Sequence, residues 1–464
     1  MTGALEHTAP LAPARRATAA TTAERFFLLM ILVIPVAASP PMQAHIVELP
    51  GAKLANIVAA VFALAVLLNP ARLFRIPGKL ERNALFAFFA YLSVFIVAFA
   101  RSVPNIGRLH GMAQDVFPAS AAEYALSGLV VPVIFASTFV YVLKYMRTSE
   151  SISRLLQAMG VAIFILSCVV IAAAASRPEA FNDPSRDAVA ALTSDVLGLH
   201  YNSIGTMYIV AAPILLYLAL KRGGFWTVNY FIALLAVILL ESRTALFIIV
   251  AMSAVTLIAL GRGRTLLAMA PLVALAAAVV AGTLLVQLLT IGFTEHSGLS
   301  FTRFLSGRDE KIWLPLIIEW WSDPLRFWSG AGEYGVLSSF MLFSGVIPPV
   351  AHSHNAYLDF FLDNGIVLEF ALLGAIVAVV RWAWRTARQI RTPLFWVLFI
   401  CVVSFLIAGL TGRHFYPNQE DTFLFPVFAM MINVVRLGRS ERAGNVGASA
   451  SVRLAATPTA GAAG

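Results

Sequence analysis

The sequence predicts an all-α, polytopic membrane protein with about twelve spanning helices and one large loop on the outer side. Three observations carry that expectation. The first is composition: 59% of the 464 residues are hydrophobic and 12% are charged, at a mean hydropathy of +0.83. A soluble domain of this length cannot cover so much apolar surface, whereas a bilayer can, at roughly 20 apolar residues per crossing. The second is the division of the chain into twelve apolar stretches. The third is the distribution of charge. Cations concentrate in every second connection and acids in the others, which fixes orientation through the excess of Lys and Arg on the cytoplasmic side. The net charge of +9 is therefore a topology signal, and no nucleic-acid partner is implied.

The elements follow in order. Phe26–Ala44 comes after Arg15, Arg16 and Arg25. Its first half, Phe26–Ala38, also has the shape of a signal-peptide core. The Pro40-Pro41 pair directly after Ala38-Ser39 is a poor cleavage context, so a retained first span is expected. Leu54–Leu68 and Ala84–Ala100 flank the basic connection Arg72, Arg75, Lys79 and Arg82. Ala125–Tyr145 and Leu155–Ala175 flank Lys144, Arg147 and Arg154. Ile204–Leu220 and Phe225–Leu240 flank Lys221 and Arg222, and Ala245–Leu260 and Leu266–Leu289 flank Arg262 and Arg264. Asn355–Val380 and Leu394–Leu410 flank Arg381, Arg385, Arg388 and Arg391. Thr422–Val435 is followed by Arg436, Arg439, Arg442 and Arg453. Both termini thus fall on the basic side. Residues 1–25, rich in Ala, Thr and Pro, and 436–464, rich in Ala, Gly and Ser, read as disordered cytoplasmic tails around a membrane domain spanning 26–435. Cys168 and Cys401 lie mid-span and read as small apolar packing residues.

The outer loops are unequal. Residues 290–353 form the longest, and loops of that length in compact architectures carry function or are disordered. This one holds Trp313, Trp320, Trp321 and Trp328, half of the eight tryptophans. Within Asp309–Ser322, Ile312, Leu316 and Trp320 recur at i, i+4 and i+8, with Trp313 and Ile317 alongside. That spacing predicts an amphipathic helix lying on the membrane or capping a cavity, or simply an interfacial helix with an aromatic belt. Ser329-Gly330-Ala331-Gly332 breaks it.

The loop ends in His352-Ser353-His354-Asn355, and a helix starts there. Asn355, Asp359 and Asp363 recur every four residues and give that helix a polar face, which in a membrane lines a wet cleft or a helix contact. A neutral His354 at the helix start is suited to take a proton from a hydroxyl, because its ordinary pKa is about 6.5; a capping histidine is the plainer reading. Glu241-Ser242-Arg243-Thr244 is the outer turn between two short spans. Arg243 there either pairs with Glu241 or coordinates an anionic group, for which the planar guanidinium fork is suited. Arg303, Arg308 and Arg413 add cations on the same outer side, which is otherwise poor in them. The sequence has no phosphate-binding glycine loop, no dinucleotide fingerprint and no Cys/His cluster at metal-ligand spacing, so no cofactor and no metal are expected.

These residues resemble a known family. His354-Asn355 followed at a distance by Gly365 is similar to the loop-to-helix motif of the O-antigen ligase and polymerase superfamily, which includes exopolysaccharide polymerases. Ser242-Arg243-Thr244 opening a span, Ser306-Gly307-Arg308 followed by Trp313, and Pro324 leading to Gly330-Ala331-Gly332 are also similar to it, as is the large loop ahead of the motif. The motifs cover 204–380. Leu368 stands where the family has a second glycine, and Asn364 where it often has an acid.

The resemblance implies a metal-independent glycosyltransferase of the bacterial inner membrane, acting at the periplasmic face on a glycan carried by undecaprenyl diphosphate. It implies that Arg243 and Arg308 clamp the diphosphate, that His354 orients or deprotonates the acceptor hydroxyl, and that Asn355 and Tyr357 shape the pocket. Arg413 is added on charge, and Asp359, with Asp363, would keep His354 more basic or contact sugar hydroxyls. The acceptor would be another lipid-linked repeat unit, making the protein an exopolysaccharide or O-antigen polymerase, or alternatively lipid A–core, making it a ligase of lipopolysaccharide synthesis. A flippase and a chain-length regulator would be its neighbours. A secondary transporter is the competing class, although such proteins often divide into two six-span halves with matching broken helices. A non-catalytic scaffold would need no meeting of arginines and histidine.

Overall fold

A computed structural model of the chain describes residues 21–43, 57, 74–112, 124–178, 187–262, 308–348, 350–412, 415–419 and 423–455. The expected spans 54–68 and 266–289, the loop residues 290–307 with Arg303, and Arg413 with His414 lie outside the described residues. Within them the chain is helical, with no strand. The helices are α1 (Thr22–Val33), α2 (Lys79–Ser102), α3 (Ile106–Met112), α4 (Val131–Tyr145), α5 (Ser149–Ser176), α6 (Asp187–Leu197), α7 (Tyr201–Arg222), α8 (Phe225–Leu239) and α9 (Arg243–Ala259). After them come α10 (Leu314–Ser322), α11 (Pro324–Ser329), α12 (Ala356–Asn364), α13 (Ile366–Ile390), α14 (Pro393–Ala408) and α15 (Leu424–Ala455).

Among the described residues five helical stretches are long and apolar enough to cross a membrane: Lys79–Gly111, Gly128–Tyr145, Ser149–Ser176, Tyr201–Arg222 and Ile366–Ile390. Helices α6, α8, α9 and α14 are apolar but shorter. The protein is thus an all-helical membrane protein, with five such helices here where the sequence suggested twelve spans over the whole chain. Helix α15 runs past Val435, beyond the point where the sequence placed the start of a tail.

Local chemistry sets several helix starts. The Thr21 hydroxyl accepts from Glu24 N at 3.2 Å, and Thr148 and Ser151 form a reciprocal capping box at the head of α5. Helix α7 is buried on nearly all sides, from Ile204 through Tyr208, Val210 and Ile214 to Leu218, as expected of a helix apolar all round. It packs against α5, α8, α9 and α14. Small residues let these helices approach: a Cβ on Gly205 would sit 2.9 Å from Ser242 Oγ, and one on Gly160 2.6 Å from the Trp226 ring. Buried polar pairs add to the packing, with Tyr208 OH of α7 2.9 Å from Ser167 Oγ of α5 and Tyr230 OH of α8 donating to Ser253 Oγ of α9 at 2.7 Å.

The groups assigned to the basic side meet at one end of this bundle. Lys144 and Arg147 both pair with Glu81, at 3.0 and 3.2 Å. Arg154 pairs with Glu24 at 2.7 Å, Arg222 donates to Gln157 at 2.8 Å, and Arg436 donates to Arg147 O at 2.6 Å. Arg388 and Arg391 face Ala259 and Leu260 there. The loop and the His352–Asn355 segment sit at the opposite end, so the charge alternation read along the sequence corresponds to two distinct ends.

The expected tenth span, Asn355–Val380, is not one helix. It breaks at Gly365, whose φ is +80°, into the short buried α12 and the long α13. The loop closes on this break. Ala331 N donates to Leu362 O and Gly332 N to Asp363 O, each at 2.9 Å. Gly330 and Gly365 allow the approach: a Cβ on Gly330 would lie 2.2 Å from Asp363 O, and one on Gly365 2.3 Å from Trp328 O. Trp320 Nε1 also donates to Leu362 O, at 3.1 Å, so that this one carbonyl at the end of α12 accepts from both the loop backbone and the indole.

Candidate functional site

Asn355 is the N-cap of α12. Its Oδ1 accepts from Tyr357 N at 3.1 Å and Leu358 N at 3.2 Å, and its own N–H donates to Ser353 Oγ at 3.2 Å. The preceding segment is held from three directions. Trp313 Nε1 donates to Ser353 O at 2.8 Å, Ser353 N donates to Asp359 Oδ1 at 2.7 Å, and Ala356 N donates to Gly409 O at 2.8 Å. Between these fixed points His354 adopts φ +62°, a left-handed conformation uncommon for residues other than Gly, though His, like Asn and Asp, takes it more often than most. The His352 and His354 rings meet edge to face at 4.3 Å. Both histidines are half-buried.

Asp359 is almost fully buried, so its demonstrated contact is with the histidine-bearing loop, not with an open cleft. Burial pushes its pKa well above the ordinary range, with the Ser353 N–H opposing and Asp363 adding to the rise. Asp363 likewise faces inward, accepting from Gly335 N at 2.6 Å. Of the two readings of this polar face, a wet cleft or a protein contact, Asp359 and Asp363 follow the second: both accept from backbone N–H groups of the loop. Glu333, from the loop, completes it: Tyr124 OH donates to its carboxylate at 2.9 Å, and its carbonyl accepts from Ser102 Oγ at 2.7 Å. Arg101 clasps the carbonyls of Ser329 and Gly330.

The stripe of Ile312, Leu316 and Trp320 is real, and it is buried against Leu358, Phe361 and Leu362 of α12. Periodicity showed that this face is covered; the covering surface is protein. The residues ahead of it, Asp309–Trp313, form a wide π-type turn instead of regular α-helix.

Trp313 thereby joins Arg308's segment to the histidine segment. Arg308 is half-buried; burial lowers its pKa, and the nearby Tyr201 hydroxyl partly offsets that. Tyr201 is the first residue of α7. Its neighbour Asn202 accepts from Ser242 Oγ at 3.3 Å, and Arg243, next in sequence, opens α9. A hydrogen bond from Trp313 to Ser353 thus ties Arg308's segment to that of His354, another from Ser242 to Asn202 ties the starts of α9 and α7, and the electrostatic interaction of Arg308 with Tyr201 lies between the two. Glu241 in the same turn has φ +52°. Of the helices that start here, α7 is capped by His200 and α12 by Asn355, which leaves α9 as the one whose N–H groups and dipole favour an anion. The Ser242 side chain makes no cap to α9. Tyr357 is the link to α14: its OH donates to Leu406 O at 2.9 Å, and its ring meets Phe415 edge to face at 4.7 Å.

One residue escaped the sequence reading. Glu369 lies four residues after Gly365 on α13, is only 8% exposed, and interacts electrostatically with Tyr357. Its Oε2 has no hydrogen-bond partner among the described residues. The signal was present in the sequence as a single acid near the start of a long apolar helix, a placement that is costly without a purpose. Among the described residues no three His, Cys, Asp or Glu side chains converge as a metal would require.

Comparison with known proteins finds no family that matches the chain and no curated protein similar to it.

Proposed function

We propose that the protein is a metal-independent glycosyltransferase of the bacterial inner membrane, related to the O-antigen ligase and polymerase superfamily, which extends glycans carried on undecaprenyl diphosphate at the periplasmic face. The observation that carries the reading is the pair of hydrogen bonds, Trp313 to Ser353 and Ser242 to Asn202, that tie the segments bearing His354, Arg308 and Arg243, with Arg308 in electrostatic reach of Tyr201. A diphosphate is the ligand best matched to two guanidinium groups beside the start of α9, which has no side-chain cap. The motif resemblance supplies the lipid-linked glycan as the substrate class.

In this mechanism the acceptor hydroxyl attacks the anomeric carbon of the donor glycan. Its proton passes to His354, the glycosidic C–O bond forms, and the bond from that carbon to the diphosphate oxygen breaks. Charge grows on the leaving diphosphate, so Arg243 and Arg308 stabilise the transition state more than the bound substrate. Asn355 caps the helix that presents His354. Asp359 acts through the Ser353 N–H and is a positioning residue. Polymerisation onto a second lipid-linked repeat unit is the reading preferred here, with transfer to lipid A–core as the alternative.

The test is genetic. His354→Ala and Arg243→Ala should each abolish long glycan chains in cells while leaving membrane levels of the protein normal. Normal-length polymer from either variant would remove that residue from the site.

A further inference from the structure

The α10–α11 hairpin is apolar on two faces. One is the buried stripe described above. On the other side of α10, at 100° per residue, Leu314, Ile317, Ile318 and Trp321 fall within about 100° of arc, and all four are exposed. Leu325 and Trp328 of α11 extend the surface, and Trp321, Leu325 and Trp328 are 72%, 76% and 60% exposed. The charged side chains of the hairpin are tied to one another and to the loop. Arg326 pairs with Glu319 at 2.8 Å and Asp323 at 3.4 Å, and the Glu319 carboxylate also accepts from Phe340 N and Met341 N. That leaves an apolar, aromatic-rich face larger than scattered surface residues explain.

We propose that this face is seated in the bilayer, at the boundary of headgroups and acyl chains, so that α10 and α11 form a membrane-embedded wall beside α13. Three observations choose lipid as the occupant. Helix α11 packs on the first turns of α13, and Trp328 O touches Gly365. The hairpin face therefore adjoins α13, whose Val367, Phe370 and Val377 are exposed on a helix long enough to cross a membrane. Two tryptophans on one exposed face are the side chains that favour the membrane interface. The ion pairs draw charge away from the surface that would otherwise meet lipid. The proposal needs only that the chain lies in a bilayer, and it stands or falls apart from the glycosyltransferase reading.

The experiment uses full-length protein in nanodiscs, in a Cys168→Ser, Cys401→Ala background. An environment-sensitive fluorophore is attached at Trp321→Cys or, separately, Leu325→Cys, with Phe370→Cys as the lipid-facing reference. Both hairpin positions should give blue-shifted emission, with quenching by a lipid nitroxide at least about half that of the reference and weak quenching by aqueous iodide. Iodide quenching as strong as for the free dye–cysteine adduct would show a water-facing surface and overturn the proposal. Lipid quenching that is lost while the signal varies with the number of protein copies per disc would show a second copy on this face, and would overturn it equally.

Discussion

Replacing Gly365 by Ala tests the junction on which the loop is built. Gly365 holds φ +80°, ψ 173°, a region that is essentially glycine-only and costs roughly 1–3 kcal/mol for another residue. The added Cβ would also lie 2.3 Å from Trp328 O, 2.5 Å from its carbon and 2.7 Å from Ser329 N. These atoms are backbone and cannot rotate away. Relief needs a separation of about 1 Å, enough to break the Ala331–Leu362 and Gly332–Asp363 hydrogen bonds, each worth about 0.5–1.5 kcal/mol. The total is on the order of 2–6 kcal/mol. Gly374 on the same helix is the control. Its Cβ would meet nothing within 4 Å, so Gly374→Ala should be neutral or stabilising by up to about 1 kcal/mol from helix propensity. The assay is thermal unfolding in detergent together with limited proteolysis of the loop. Gly365→Ala should lower the midpoint and expose Trp328–Gly332 to cleavage, and Gly374→Ala should do neither. Equal behaviour of the two variants would refute the backbone-contact reasoning.

Other predictions follow from the same geometry. Glu369→Gln should lower transfer activity at least about tenfold while keeping or raising the melting temperature, because it replaces a buried carboxyl group whose Oε2 has no hydrogen-bond partner among the described residues; unchanged activity would make Glu369 a bystander. Trp313→Phe removes the hydrogen bond to Ser353 O at a cost of about 1 kcal/mol and should reduce turnover with little loss of stability, whereas full activity would uncouple Arg308's segment from the histidine segment. Asp359→Ala leaves the buried Ser353 N–H without its acceptor, a cost of about 1–3 kcal/mol, and hydrogen exchange at 352–356 should quicken. Glu333 gives a pH dependence. Burial pushes it up to about 8, with Tyr124 opposing and Asp363 adding to the rise, against an ordinary value of 4.5. Below the ordinary value both folded and unfolded chains hold the proton and stability is full. Between there and about pH 8 only the folded loop holds it, so stability falls with rising pH, by at most on the order of 5 kcal/mol. Protease resistance of the loop should fall over that window, and Glu333→Gln should make the profile shallower, the buried Asp363, itself pushed up to about 8, supplying the rest.

What the sequence made legible divides along physical lines. The charge alternation is a property of whole connections, and it survives errors of several residues in any boundary; the pairing of Lys144, Arg147 and Arg154 with Glu81 and Glu24 at one end shows the same partition. Local chemistry was readable in part: a helix start after the histidines was expected, but its cap is Asn355 where the plainer reading was a capping histidine, and the amphipathic helix already ends at Ser322, with Gly330 closing a second short helix. The covering partner was not readable. Ile312, Leu316 and Trp320 announce a covered face, but period alone does not say whether lipid or α12 covers it, and the second apolar face went unnoticed beside the first. The break at Gly365 was hidden because glycine is common in membrane helices, and only the approach of Trp328 shows why it is there. Asp359 and Asp363 were readable as one face of a helix. Their use as acceptors for Ser353 and Gly335 depends on loops distant in sequence.

The most direct test of the functional account is reconstitution. The purified chain is placed in liposomes with undecaprenyl-diphosphate-linked repeat units, with chelator present and lipid A–core either supplied or withheld. The account predicts glycan products longer than the starting unit, or glycan joined to lipid A–core, from the wild-type chain and none from His354→Ala. A folded wild-type chain that leaves both acceptors unextended would contradict it.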